Sequence, residues 1–121
     1  MIAVESAGRR VLLTGDLEGD ALDRFVASGP GRCDLLVAPH HGSRASLSLP
    51  LLEATAPAWV ILSAARNSGR GDLERAWAEA ASGARVIRTD GAVHVRLEAA
   101  GTSAARFASG HWHPLGRTEG G

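Results

Sequence analysis

The stretch CDLLVAPHHGS, residues 33–43, joins a short apolar run to a proline and two adjacent histidines. Its first part, DLLVA at residues 34–38, shows no polar alternation, which is typical of a strand buried on both faces of a parallel sheet. The histidines therefore follow the point where this strand is expected to end. Gly42 lets the backbone turn tightly there, and Ser43 can hydrogen-bond locally or to a substrate.

The rest of the chain alternates between short apolar runs and segments with helical spacing. The apolar runs predict strands over 2–5, 9–14, 34–38, 58–63, 85–88 and 92–97. The helical spacing predicts helices over 20–28, 49–55 and 73–82. Strands that alternate with helices indicate an α/β fold, with a mixed sheet and flanking helices.

Polar side chains follow several of the predicted strands. Asp16 comes after VLLT, His40 and His41 come after LLVAP, and Asn67 comes after WVILS. The carboxyl ends of parallel strands form the edge where open α/β sheets bind ligands. If these strands run the same way, the four residues converge on one edge of the sheet.

Carboxylates and imidazoles at such an edge are ligands for divalent metal ions. Two ions held a few ångström apart can share a hydroxide and hydrolyse a phosphodiester or an ester. Adjacent histidines suit a division of labour, in which one binds metal and the other donates a proton or orients the substrate. Considered separately, a Gly-Asp such as Gly15-Asp16 after a strand is usually only a turn, and a histidine pair is as often a surface feature as a site. Together, at these strand ends, they are much more specific.

Composition limits the remaining classes of function. The chain has 121 residues, 45% of them hydrophobic, and a formal net charge of zero, so bulk charge does not mark it as a nucleic-acid binder. One cysteine, Cys33, excludes an internal disulfide and a cysteine-based zinc site. Apolar runs are too short for a membrane helix. Residues 99–121 are rich in Gly, Ser and Ala and predict a flexible tail after a single domain over residues 1–98.

Four stretches strongly resemble the C-terminal half of the metallo-β-lactamase-fold domain of ComEC-type competence proteins. They are VLLTGDLEGDAL, CDLLVAPHHGSRAS, PAWVILSAARN and GARVIRTDGAV. The resemblance covers roughly residues 1–97, and the TGD and HHGS motifs are specific for this family and its relatives, which include phosphorylcholine esterases. It implies half of an αββα sandwich that binds two metal ions, zinc or manganese.

The resemblance also implies roles for individual residues. Asp16 corresponds to the carboxylate that bridges the two ions and takes part in catalysis. One of the two histidines corresponds to a metal ligand; we favour His41, with His40 assisting proton transfer or binding metal in its place. Ser43, Arg44 and Asn67 are the candidates for substrate contacts, since they lie near the same edge.

The sequence departs from the family pattern in two places. The HxHxDH motif, which supplies most metal ligands in the family, is absent, and the one HxH pair, His111 and His113, lies in the predicted tail. Where relatives carry YGHP after the Asn, this chain has Ser68-Gly69-Arg70-Gly71. We therefore expect a partial domain with an incomplete set of metal ligands.

The resemblance predicts part of a dimetal hydrolase that cleaves DNA phosphodiesters during DNA uptake, with DNA and a parent membrane channel as partners. The domain itself is expected to be soluble, and its parent to lie in the cytoplasmic membrane. Two alternatives stay open. One is a metallo-hydrolase for a small phosphodiester or ester, and the other is a catalytically inert fragment that serves as an interaction module.

Overall fold

The structure, a computed structural model, describes residues 1–43, 46–63, 71–89 and 91–119, and only the backbone of His40, Gly71, Asp72 and Glu119. Its strands are β1 Ile2–Ser6, β2 Arg9–Leu13, β3 Leu35–Val37, β4 Trp59–Ser63, β5 Arg85–Thr89, β6 Val93–Glu98, β7 Gly101–Ala108 and β8 His111–Glu119. Its α-helices are α1 Gly19–Ala27, α2 Leu49–Thr55 and α3 Gly71–Ala80, and a short 3₁₀ helix spans Pro39–Gly42.

The first five strands form one mixed sheet in the order β1-β2-β3-β4-β5. Strand β1 is antiparallel to β2, whereas β2, β3, β4 and β5 are parallel to their neighbours. The condition set by the sequence, that these strands run in the same direction, is therefore met. Their carboxyl ends meet at one edge, which we call the carboxyl edge, and their amino-terminal ends meet at the opposite edge, the amino edge.

Three layers make up the fold, with the five-stranded sheet in the middle. Alternate residues of its strands, such as Leu12, Leu36 and Val60, pack with Leu22, Leu51 and Trp77 of the three helices. The intervening residues, such as Leu35, Trp59 and Ile61, pack against Ala104 of a second sheet. Both faces of the central strands are thus buried, which explains why their sequences are continuously apolar.

Helix α2 shows how local sequence fixes an element. The Ser48 hydroxyl accepts a hydrogen bond from the Leu51 backbone N–H at 3.2 Å and so satisfies one of the helix's otherwise unpaired donors. The helix ends at Ala56, which has a left-handed φ of 40°. Leu51, Leu52 and Thr55 are the residues that this helix buries, and the two leucines pack in the core against the sheet.

The predicted division at residue 98 and the flexible tail are wrong. Residues 93–98, 101–108 and 111–119 form a three-stranded antiparallel sheet, β6-β7-β8, that covers the face of the first sheet away from the helices. The small residues that suggested flexibility allow close packing instead, since Thr102 and Ala104 are buried. The Trp59 indole N–H also donates to the Thr118 hydroxyl at 3.0 Å.

Strands β5 and β6 follow each other in sequence but do not pair with each other. The sequence around Thr89 to Gly91 favours a hairpin, but β5 and β6 belong to different sheets. Asp90 itself lies outside the described residues. Among the described helices, none is long and apolar enough to cross a membrane.

Candidate functional site at the carboxyl edge

The end of β2 is fixed before it reaches Asp16. Thr14, which is buried, donates a hydrogen bond from its hydroxyl to the Val37 carbonyl of β3 at 2.6 Å. Gly15 then turns the chain with a left-handed φ of 63°. Asp16 follows in this turn with its side chain exposed at the carboxyl edge. The carboxylate that the sequence singled out is therefore accessible on a firmly held strand end.

The two histidines lie in a 3₁₀ helix rather than in extended backbone. Pro39–Gly42 form this helix directly after β3. His41 has a left-handed φ of 58°, which is uncommon for a residue other than glycine. Such backbone persists where the surroundings hold it in place, and it is often found at functional sites.

Gly42 is required by its backbone and by its surroundings. Its φ is 80°, and a Cβ atom at this position would lie 2.7 Å from Leu62 Cδ2. Its carbonyl accepts a hydrogen bond from the buried Trp77 indole N–H at 2.7 Å. Strand β4 and helix α3 therefore hold the turn from two sides.

Ser46 closes the loop from its other end. Its buried hydroxyl lies 2.6 Å from the Pro39 carbonyl and 2.9 Å from the Ser43 carbonyl, and it can donate to one of them. Its backbone N–H also donates to the Ser43 carbonyl at 3.0 Å. The Ser43 hydroxyl lies 3.2 Å from that of Ser46, so Ser43 contributes to the loop's own hydrogen bonding.

The His41 imidazole is oriented by the end of β4. Its Nδ1 lies 2.7 Å from the Ser63 carbonyl oxygen. A carbonyl oxygen only accepts, so Nδ1 carries the proton in this contact and the lone pair of the neutral ring is at Nε2. Metal-binding histidines are typically held this way, because a hydrogen bond from one nitrogen fixes the orientation of the other.

Asp16 and His41 are thus presented from neighbouring parts of one edge. Asp16 follows β2, whereas the His41 ring contacts the end of β4. Only β3 separates these strands, so their backbones are about 10 Å apart.

The remaining predicted residues add little to this picture. Of His40 only the backbone is described, so its expected role stays a prediction. Arg44 and Asn67 lie outside the described residues. His111 and His113 are in β8, where the His113 Nε2 lies 3.0 Å from the Ala108 carbonyl.

The described residues can be compared with the metal site that the resemblance implies. Within the described ranges, no group of three or more His, Cys, Asp or Glu side chains could hold an ion. The chemistry of Asp16 and the orientation of His41 fit two ligands of such a site, but a stable site needs more.

A cavity lies at the opposite edge of the sheet, the amino edge. It has a volume of about 630 Å³ and is lined by residues that include Arg9, Arg10, Cys33 and Asp34. Asp34 accepts from the Arg10 backbone N–H at 2.8 Å and pairs with Arg9 at 3.4 Å. These contacts pair the charges with each other across β2 and β3, which is what a structural network does.

Cys33 in the wall of this cavity is not suited to catalysis. Burial raises the pKa of its thiol to about 11, so the sulfur stays protonated at neutral pH. A protonated thiol is a weak nucleophile and a weak ligand. The carboxyl edge therefore remains the better candidate.

Sequence reasoning missed the residues that shape the site. Trp77 looks like an ordinary core residue of an amphipathic helix, and Ser46 and Thr14 look like loop and strand-end positions. Only Gly42 carried a signal, since a glycine after two histidines suggests a tight turn.

A scan against protein-family models finds no match to this chain, and a search of curated proteins finds no significant match.

Proposed function

We propose that the chain is part of a metallo-β-lactamase-fold hydrolase of the ComEC type, which cleaves phosphodiesters of DNA at the carboxyl edge. The observation that carries this proposal is the orientation of His41. The turn after β3 is held by contacts with β4 and α3, and it directs the His41 imidazole to the end of β4. Strand β2, which presents Asp16, lies on the other side of β3. Functional side chains are held in place by supporting contacts of this kind.

Each residue would have a distinct task. Asp16 would contribute carboxylate oxygens and His41 its Nε2 to two divalent ions, zinc or manganese, and His40 would assist proton transfer. The ions supply Lewis-acid chemistry and an activated water when they are bound. The backbone separation of about 10 Å between the ends of β2 and β4 is within the reach of two side chains that share a pair of ions. The remaining ligands would come from an HxHxDH segment outside this chain.

The decisive experiment is a calorimetric titration with Mn²⁺ and with Zn²⁺ of the chain combined with a segment that carries HxHxDH, because a stable site needs more ligands than Asp16 and His41. We expect micromolar binding that weakens by at least about tenfold in Asp16→Ala and in His41→Ala, because each removes a ligand. Asp23→Ala is the matched control, since Asp23 is an exposed carboxylate on α1, and it should bind as the wild type does. Equal binding in all three variants would contradict the assignment.

A cleavage assay then separates the substrates. The metal-loaded chain, combined with a segment that carries HxHxDH, should cleave single-stranded DNA and lose this activity in Asp16→Ala. Cleavage of only a small phosphodiester such as bis(p-nitrophenyl) phosphate would favour the small-molecule hydrolase. Absence of metal binding in the wild type would favour an inert interaction module.

The coding sequence upstream offers an independent check. An in-frame HxHxDH motif there, preceded by several apolar spans, would support a membrane-anchored competence protein as the parent. A stop codon in frame directly upstream would count against it.

A further inference from the structure

The two sheets differ in width and are offset from each other. The Arg9 Nε at the start of β2 donates to the Glu98 carbonyl of β6 at 2.9 Å. At the other side, Trp59 of β4 contacts Thr118 of β8. Strand β6 therefore lies over β2 and β8 lies over β4. With five strands below and three above, β1 extends beyond the upper sheet.

The uncovered face of β1 is apolar. The register pairs Ile2 with Leu13 and Val4 with Val11, so all four side chains point to the same face. Val11 belongs to the cluster between the two sheets. Beyond the upper sheet, Ile2, Val4 and Leu13 are 59%, 43% and 37% exposed. We call these three side chains the β1 patch. On the surface, this patch adjoins the apolar cluster between the two sheets.

The β1 patch is bordered by two strand edges. Strand β1 ends the lower sheet and β6 ends the upper sheet, as far as the described residues extend. Each edge presents backbone N–H and C=O groups that can pair with a further strand. Because β1 extends beyond β6, there is space for one more strand beside β6 and above β1. We call this space, bordered by the β1 patch and the two strand edges, the step.

The strand that would fill this step needs one apolar face and one polar face. Strand β1 itself has this pattern, because Ile2 and Val4 point to one face and Ala3 and Glu5 to the other. It is also exposed along its whole length. The step is therefore complementary to the same strand of another copy.

We propose that a second copy of this chain docks on the β1 patch. A two-fold axis parallel to the strands would place β1 of each copy beside β6 of the other. The two β1 patches would then face each other, which is the self-complementary contact of an isologous dimer. Because β1 and β6 are both antiparallel in direction to β2, the new pairing is parallel.

Charge is also complementary on the outer surface of this interface. The partner's Glu5 would lie next to the exposed face of β6, which carries His94 and Arg96. Within its own chain, Arg96 is 3.6 Å from Glu98 and its side chain is 65% exposed, so it can reach a second carboxylate. The interface is thus apolar at its centre and charged at its rim, as stable interfaces are.

Sedimentation velocity of the chain across a concentration series tests this proposal. The wild type should form a dimer, and Val4→Lys should raise its dissociation constant by more than about tenfold, since it places a charge in the centre of the β1 patch. Leu49→Lys is the matched control, because Leu49 is a similarly exposed apolar residue on α2, and its dimer should be unchanged. A wild type that stays monomeric at about 100 μM, or a dimer that Val4→Lys does not weaken, would overturn the proposal.

Hydrogen exchange identifies the surfaces involved. Amides of β1 and β6 should exchange more slowly as the concentration rises, while those of α2 and α3 should not change. Circular dichroism of Val4→Lys shows whether the variant is still folded, and so distinguishes a folding defect from a docking defect. The proposal is independent of the metal site, since Val4→Lys should leave Mn²⁺ binding unchanged, whereas Asp16→Ala should leave the dimer unchanged.

Discussion

The two edges of the five-stranded sheet use polar residues in opposite ways. At the amino edge, Asp34 pairs with Arg9 and with the backbone of Arg10, so its charge holds strands together. At the carboxyl edge, backbone and neutral groups do the bracing, and the Asp16 carboxylate stays exposed. The amino edge has a cavity of about 630 Å³, yet the charges beside it serve the fold. The comparison shows that charged residues beside a cavity can pair with each other and stabilise the fold.

The strongest test of this comparison is Gly42→Ala. The new Cβ would lie 2.7 Å from Leu62 Cδ2 and the residue would keep a left-handed φ, so we expect a loss of about 3 kcal/mol in the free energy of unfolding. Gly15→Ala is the matched control. It also has a left-handed φ but no atom within 4 Å of the added Cβ, so the loss should be about 1 kcal/mol. Urea denaturation measures both, and equal losses would contradict a tightly packed turn.

Replacing one aspartate by alanine at each of the two edges sharpens the contrast between them. Asp34→Ala should cost about 2 kcal/mol, because it removes the acceptor of the Arg10 backbone N–H and the partner of Arg9. Asp16→Ala should change the free energy of unfolding by less than about 0.5 kcal/mol, since the side chain is exposed. The same denaturation experiment measures both variants. A large loss in Asp16→Ala would give this residue a structural role.

The smallest expected effect concerns the brace of the histidine loop. Ser46→Ala removes a buried hydroxyl that contacts the Pro39 carbonyl, and we expect a loss of about 1 kcal/mol. Ser28→Ala serves as control, because its hydroxyl is exposed at the end of α1 and should contribute less than about 0.5 kcal/mol. Hydrogen exchange of the loop amides should accelerate in Ser46→Ala alone. Unchanged exchange would indicate that Trp77 and Leu62 suffice to hold the loop.

Much of the fold could be predicted from periodicity. The continuous apolar runs before Pro39 and around Trp59 predicted buried strands, and helix α2 spans Leu49–Thr55, the range that the helical spacing predicted. The last sheet escaped prediction because its strands use small residues. Thr102 and Ala104 resemble a linker by composition, and they are buried only because the first sheet offers them an apolar face.

The site was predictable in its position but not in its detail. Asp16 and His41 follow strands, and parallel strands bring such residues to one edge. The contact between His41 and the Ser63 carbonyl joins residues 22 positions apart, and no local pattern reveals it. The same holds for Trp77 and Gly42, which are 35 positions apart.

By itself, the sequence determined the α/β class and the positions of polar residues after the strands, because these follow from the hydrophobic periodicity. The tertiary structure decided that the strands are parallel and so bring these residues to one edge. Only the tertiary structure decided which nitrogen of His41 carries the proton, that residues 101–119 form strands, and that β1 protrudes with an exposed apolar face. These features depend on contacts between distant segments, which arise only after the layers have packed.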